Sequence, residues 1–294
     1  MTRVLVAGGT GVVGRPLVER LRTAGHEAVT LGRRAGDVRC DALDAAEVAR
    51  VVAEIRPDVI VHQLTAIPAR IRPKRVDEDF AATNRLRVDG TRNLIAAAKA
   101  AGVSRFVAQS VAFLCAPSRD ASAATERDPI AGAGTGAPAL CAALASLERQ
   151  VAEAGFPQGL VCRYGLFWGP GTVWGDGGAM VQGLGARAIP IVGGGAGRWS
   201  MVHVDDAAAG TMKLMLDGVS GVVQLVEDEA PTVAEALTLG ARRLGAPAPR
   251  RVPRWLARLF AGRYGVFMMC EMRPASNALA RSLGWASTRR FLDG

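Results

Sequence analysis

The sequence predicts an α/β fold, a doubly wound parallel sheet with a smaller C-terminal lobe. Three observations carry this. Short Val- and Leu-rich runs alternate with longer helical stretches between residues 3 and 163, as expected of strands buried on both faces. A glycine-rich turn at 8–14 joins the first run to the first helix. After residue 165 the chain turns glycine- and tryptophan-rich, then arginine-rich.

Each element has its own reason. Residues 3–7 (RVLVA), 27–31 (EAVTL), 58–62 (DVIVH), 105–109 (RFVAQ) and 159–163 (GLVCR) are short, apolar and bounded by Gly, Pro or charge, so they read as strands. Helical patterns fill 12–24, 44–55, 77–101 and 139–154. Asp44 is a suitable N-cap for the second of these, and Pro57 ends it. Right-handed crossovers then wind the sheet from both sides. Residues 165–199 read as loops with one helix near 178–187. A helix at 205–217 and a strand at 222–227 return to the sheet, and a helix at 231–245 ends at Gly245. The expected division is a dinucleotide-binding domain at 1–165, rejoined by 205–227, and a substrate lobe made of 166–204 and 228–294.

Composition narrows the class. At 294 residues, 49% apolar and 21% charged, the chain is not wholly disordered. No apolar run approaches the ~18 residues of a membrane span, so no membrane partner is expected. The apolar N-terminus breaks into glycines by residue 8 and reads as a strand instead of a leader. Five cysteines without a Cys-x-x-Cys, and three histidines off ligand spacing, predict neither disulfides nor a metal site. A cytoplasmic location follows. The net charge of +9 is concentrated near the C-terminus, where seven arginines and no acid lie between 242 and 263. Arg254 and Arg258 flank Trp255, Leu256, Leu259 and Phe260, the pattern of an amphipathic helix with a solvated face. No nucleic-acid partner is predicted.

The turn Gly8-Gly9-Thr10-Gly11-Val12-Val13-Gly14 has the spacing G-x-x-G-x-x-G between a strand and a helix. Glycine lets the backbone approach a pyrophosphate, and the helix N-terminus offers it N–H groups and partial positive charge. An NAD site wants a carboxylate about 20 residues further on. Here that point is Leu31-Gly32-Arg33-Arg34, with no acid before Asp37. Two guanidinium groups suit a 2′-phosphate, so NADP(H) is the expected cofactor.

With these pieces in view, the chain resembles the extended short-chain dehydrogenase/reductase family of the NAD-dependent epimerase/dehydratase type. The matching stretches are GGTGVVG at 8–14, CDALD at 40–44, VIVHQLTA at 59–66, NRLRVDGTRNLIAAAKAAGVSRFVAQS at 84–110, RYGLFWGPGT at 163–172 and WSMVHVDDAAAG at 199–210. The resemblance implies a Rossmann-like fold. It also implies that Asp41 and Ala42 lie by the adenine, and that Leu64, Thr65 and Ala66 line the ribose and pyrophosphate. Asn84, Gln109, Ser110, Tyr164 and Gly165 would then approach the nicotinamide end. A homodimer through helices of the 77–101 and 138–155 type is a further implication.

The catalytic residues depart from that family. Its carbonyl reductases use Tyr-x-x-x-Lys, in which the lysine lowers the tyrosine pKa for proton exchange. This chain has two tyrosines, Tyr164 and Tyr264, and three lysines, Lys74, Lys99 and Lys213, none at that spacing. Aligning on Glu148 places Leu140 and Leu144 at the two positions. Tyr164 is the best replacement proton donor. Ser110 is either the active-site hydroxyl or the neighbour of Val111 in that slot.

Three readings remain open. The chain is an atypical NADPH-dependent oxidoreductase, a non-redox isomerase, dehydratase or cyclase, or a non-catalytic NADP-binding regulatory protein. Phe113, Phe167, Trp168, Trp174, Met180, Trp199 and Met268 fall where a pocket is expected, which suggests a hydrophobic, polycyclic biosynthetic intermediate as substrate. His203 reads as structural, before a helix capped by Asp205 or Asp206. Cys115, with Arg119 as its nearest cation, lacks a base and reads as unreactive.

Overall fold

A computed structural model describes residues 1–116 and 122–293. In chain order the first half runs β1 (Arg3–Ala7), α1 (Gly14–Thr23), β2 (Glu27–Gly32), β3 (Val38–Arg39), α2 (Ala45–Ile55), β4 (Val59–His62), α3 (Val76–Asp79), α4 (Ala81–Arg85), α5 (Thr91–Ala100), β5 (Arg105–Val111), α6 (Pro138–Glu153) and β6 (Gln158–Tyr164). The second half runs β7 (Leu166–Trp168), α7 (Ala179–Gly185), β8 (Ile191–Val192), β9 (Met201–His203), α8 (Val204–Leu216), β10 (Gly221–Leu225), α9 (Val233–Arg243), β11 (Arg251–Val252), α10 (Arg254–Cys270) and α11 (Ala278–Ser282).

Seven strands form one parallel sheet in the order β10-β6-β5-β4-β1-β2-β3. Val4 of β1 stands between Ala28 of β2 and Val59 of β4. The strand order reverses at β1, and ligands of doubly wound sheets bind in the crevice beyond the carboxyl ends at that point.

Period-two alternation splits the core. Val4 and Val6 pack on one face with Leu17 and Leu21 of α1 and Leu214 of α8. Leu5, Ile60 and Phe106 pack on the other with Val48 and Val52 of α2, Leu94 of α5 and Leu147 of α6. Each such side chain, fully buried, contributes about 1.5–3 kcal/mol. Asp44 caps α2 as expected, accepting from Ala46 N and Glu47 N at 3.0 Å.

The helical stretch expected over 77–101 is interrupted. Phe80 leaves helical geometry, and Leu86–Gly90 forms a π turn before α5. Such turns insert one residue into the helical repeat and re-aim the side chains they carry.

A third apolar cluster belongs to the second half and to α6. It joins Phe80, Leu140, Leu144, Trp199, Leu237, Tyr264 and Phe267. Helix α10 is broken at Gly262, whose φ of +67° suits glycine. Its N-terminal part differs from the expected amphipathic helix. Trp255, Leu259 and Phe260 are 68%, 58% and 75% exposed, and Ala257 is the buried residue. Spacing places the apolar residues on one face, but no element among the described residues covers Trp255, Leu259 and Phe260.

Two buried carboxylates fasten the C-terminal tail. Asp206 accepts from the Thr288 and Arg289 amides and from the Ser287 and Thr288 hydroxyls. Glu227 accepts from Phe291 N at 2.7 Å and from the Trp168 indole.

Candidate functional site

The glycine turn lies at the switch point. Gly8 has φ +89°, and a Cβ there would stand 2.6 Å from the Gln63 carbonyl oxygen at the end of β4. A Cβ on Gly14 would stand 2.2 Å from Gly8 O. Both positions therefore require glycine, one for its backbone angle and close approach, the other for helix-to-turn packing. Gly11 N donates to Gly8 O at 2.9 Å and closes the turn, and Arg15 Nε donates to Thr10 O at 2.9 Å. Val13 is buried under the turn and Val12 is exposed over it. Helix α1 begins with no side-chain cap and no acid in its first turn. Arg15 N is spent on Gly11 O and Pro16 has no N–H, so the Val12, Val13 and Gly14 amides, which make no backbone hydrogen bond among the described residues, and the helix dipole are what an anion would meet. These residues fit a dinucleotide pyrophosphate.

Around the turn, Ala42 O accepts from Asn93 Nδ2 at 3.0 Å, which ties the Asp41–Ala42 loop to α5. Asp41 turns inward on its own loop and accepts from Leu43 N. Ala66 N donates to Thr83 Oγ1 of α4 at 3.0 Å, and Leu64 N to His62 Nδ1 at 3.2 Å. Leu64, Thr65 and Ala66 thus leave β4 beside β1, with Thr65 and Ala66 exposed. Gln109 Nε2 lies 3.5 Å from Leu64 O. Beyond β2, Arg33 and Arg34 are exposed and form no ion pair among the described residues. Asp37 does not face them. Its carboxylate accepts from Thr30 N, Thr30 Oγ1 and Arg22 Nη2, and the Thr30 amide leads in holding it below the usual carboxylate range.

Tyr164 is not placed as a proton donor. It is 1% exposed, and its hydroxyl lies between Gln63 Nε2 at 2.9 Å and Thr211 Oγ1 at 2.6 Å. Burial pushes the phenol well above its ordinary pKa. It is a core tyrosine with a satisfied hydroxyl. Ser110 is similarly committed: its Oγ donates to Glu148 Oε1 at 2.6 Å. Glu148 is gripped by Arg163 through Nε at 2.8 Å and Nη2 at 2.6 Å, and Arg163 Nη1 donates to Asp128 O. Gly165 serves packing, since a Cβ would stand 2.6 Å from Ser200 O.

The expected substrate pocket is largely an aromatic core. Trp168 meets His203 edge-on at 4.6 Å, Trp174 meets Phe291 at 4.9 Å, and Trp199 Nε1 donates to Met268 O at 2.9 Å. Phe167 packs on Tyr164 at 5.3 Å. Phe113 and Met180 are half-buried against the same cluster. Packing against one another, His203 and Phe291 accounts for the tryptophans without a polycyclic ligand. His203 is structural, but it is itself the cap, its Nδ1 accepting from Asp205 N at 3.2 Å. Burial pushes Cys115 up to about 11, so it holds its proton; Arg119 lies outside the described residues.

Sequence reasoning passed over three groups. Glu148 served only as an alignment mark. Glu227 is pushed up to about 7 by burial. Arg87, in the π turn, is buried without a carboxylate among the described residues. The sequence offered no clear signal for Arg87, which lies in the charged run Arg85, Arg87, Asp89, Arg92.

Residues 4–225 match the NAD dependent epimerase/dehydratase family, and the chain belongs to it. It is 42% identical over 297 residues to a 3-diazoavenalumate denitrifying reductase from Streptomyces sp, covering 97% of this chain and 96% of the relative. Among solved structures it resembles the UDP-glucose 4-epimerase of Thermus thermophilus in complex with NAD, at 23% identity and TM-score 0.76 over 99% and 96% of the two chains. It also resembles a human epimerase family protein with NADPH, at 22% identity and TM-score 0.76, again over 99% and 96%. These two likenesses establish the fold. No helix among the described residues is long and apolar enough to cross a membrane.

Proposed function

We propose that this member of the epimerase/dehydratase family is an NADPH-dependent reductase that replaces the diazonium group of an apolar small molecule by hydrogen. The observation that carries the reading is the absence of an acid/base pair on α6. Leu140 and Leu144 are both buried in the apolar cluster, and Tyr164 and Ser110 have other commitments. When bound, the dinucleotide supplies a hydride, and the balance closes without a proton: R–N2⁺ plus H⁻ gives R–H plus N2. A carbonyl reduction would need a proton on oxygen, and no candidate donor from the sequence is placed to give one. The 42% identical relative, named as a denitrifying reductase of a diazo compound, supports the same chemistry.

The protein then has to bind, orient and exclude water. Gly8, Gly11, Gly14 and the start of α1 would hold the pyrophosphate. Leu64, Thr65 and Ala66 would lie along it, with Asp41 and Ala42 at the adenine end. Arg33 and Arg34 would take the 2′-phosphate, since Asp37 is turned away onto Thr30 and Arg22.

The test is turnover of an aryldiazonium salt with NADPH, read as NADPH consumption together with dinitrogen release. Deuteride-labelled NADPH should place deuterium in the arene. Consumption without dinitrogen, or reduction of ketones alone, overturns the reading. Arg33→Ala should weaken NADPH selectively; equal NADPH and NADH affinities in the unaltered chain would remove the 2′-phosphate assignment.

A further inference from the structure

Arg87 is 5% exposed. Its guanidinium lies 5.9 Å from the Phe80 ring centroid, and Nη1 donates to Asn84 Oδ1 at 3.2 Å. That is its only hydrogen bond among the described residues. Nε is buried without a partner, and so is Asn84 Nδ2. No carboxylate lies within ion-pair distance among the described residues. The acids nearest in sequence are committed elsewhere: Asp89 pairs with Arg92, Asp79 with Arg72 and Glu78 with Arg75, and Asp77 accepts from Ala139 N and Leu140 N at the start of α6.

An isolated buried guanidinium costs several kcal/mol. Burial does hold Arg87 down to about 10, yet it still carries its charge at neutral pH. The groups left over are Nε and Nη2 of Arg87 and Nδ2 of Asn84. All are donors, and the Nε/Nη2 edge has the spacing of a two-oxygen anion. The phenol of Tyr264, from α10, is close enough to feel the Arg87 charge and has no hydrogen bond among the described residues.

Position ties this corner to the site. Thr83, one helical turn before Arg87, holds the Leu64–Ala66 loop through Ala66 N. His62, at the end of β4, also feels the Arg87 charge. On the far side Arg87 influences Cys141 of α6, between Leu140 and Leu144. Arg87 is one of the two buried residues of the π turn at Leu86–Gly90.

We infer that Arg87 receives a carboxylate of the substrate on its Nε/Nη2 edge, with Asn84 and Tyr264 beside it, so that the enzyme acts on an apolar carboxylic acid. This rests on the reductase reading above. It names the part of the substrate that does not react and is held.

The test is calorimetric titration of the NADP⁺-loaded protein with cinnamate and with cinnamamide. Cinnamate should bind about tenfold or more tighter than the amide, as expected for a charge-assisted pair. Arg87→Met should abolish that preference, leaving amide and NADPH affinities unchanged, and Arg87→Lys should restore part of it. Equal binding of acid and amide, no binding of the acid, or an Arg87→Met loss that falls on NADPH would each overturn the inference. None of these readouts needs dinitrogen release. A protein that binds cinnamate through Arg87 but evolves no dinitrogen refutes the reductase reading alone.

Discussion

Arg163 and Arg87 are both buried, one on each side of α6's neighbourhood, and the chain treats them in opposite ways. Arg163 is 3% exposed and saturated: two bonds to Glu148, one to Asp128 O, with Ser110 supporting the carboxylate from the other side. Arg87 is nearly as buried and has one hydrogen bond among the described residues, to a neutral amide. A buried charge that closes on itself is explained by the fold. One left open needs something from outside. The contrast separates a structural part of α6, near Glu148, from a receptive one, near Cys141.

The largest expected effect is at the closed pair. Glu148→Ala strands Arg163 and should cost about 3–5 kcal/mol, read as a lower urea midpoint at unchanged slope. An unshifted midpoint would put both arginines in one class and dissolve the distinction.

Glu227 is the acidic counterpart of Arg87, buried with no ion pair among the described residues. Burial raises it to about 7 from 4.5. The folded chain therefore binds a proton that the unfolded chain has released between those values. Stability should fall as pH rises from about 4.5 to 7, by on the order of 3 kcal/mol from this group. Glu227→Gln should flatten that window, and a variant with the same slope as the unaltered protein would remove Glu227 from the account.

Ser110→Ala removes one hydrogen bond to a charged group and should cost about 2 kcal/mol. Turnover per folded molecule should be unchanged. A collapse of kcat with stability intact would return Ser110 to the reacting groups and break the structural reading of the Arg163 side.

The smallest effect on stability belongs to the open site. Arg87→Met should leave the midpoint within about 1 kcal/mol of the original, on the stabilising side, because an unpaired buried charge is replaced by apolar volume. A loss as large as that of Glu148→Ala would mean that Arg87 has a partner inside the fold after all.

Much of this was legible beforehand. The strands, the glycine turn, the Asp44 cap and the lack of an acid before Asp37 are local patterns, and local sterics enforce them. Tyr164 and Ser110 were misread because proximity to a strand end does not say which face a side chain takes. Leu160, Cys162 and Tyr164 alternate onto the α1 and α8 side, so Tyr164 is buried there. Ser110 pairs in register with Arg163, and both look toward Glu148. The tryptophans were misread for a related reason: a loop address does not reveal that Phe291, far along the chain, fills the space between them.

By itself, the sequence determined the sheet, the glycine turn, the arginines beyond β2 and the missing Tyr-x-x-x-Lys. Spacing along the chain is enough to set those. Only the tertiary structure decided which polar groups are satisfied. Pairing joins residues from separate elements, as Arg163 finds Glu148 on α6 while Arg87, equally charged and also buried, finds no acid among the described residues. Whether a buried charge stabilises the fold or waits for a ligand depends on that pairing, and composition and spacing do not contain it.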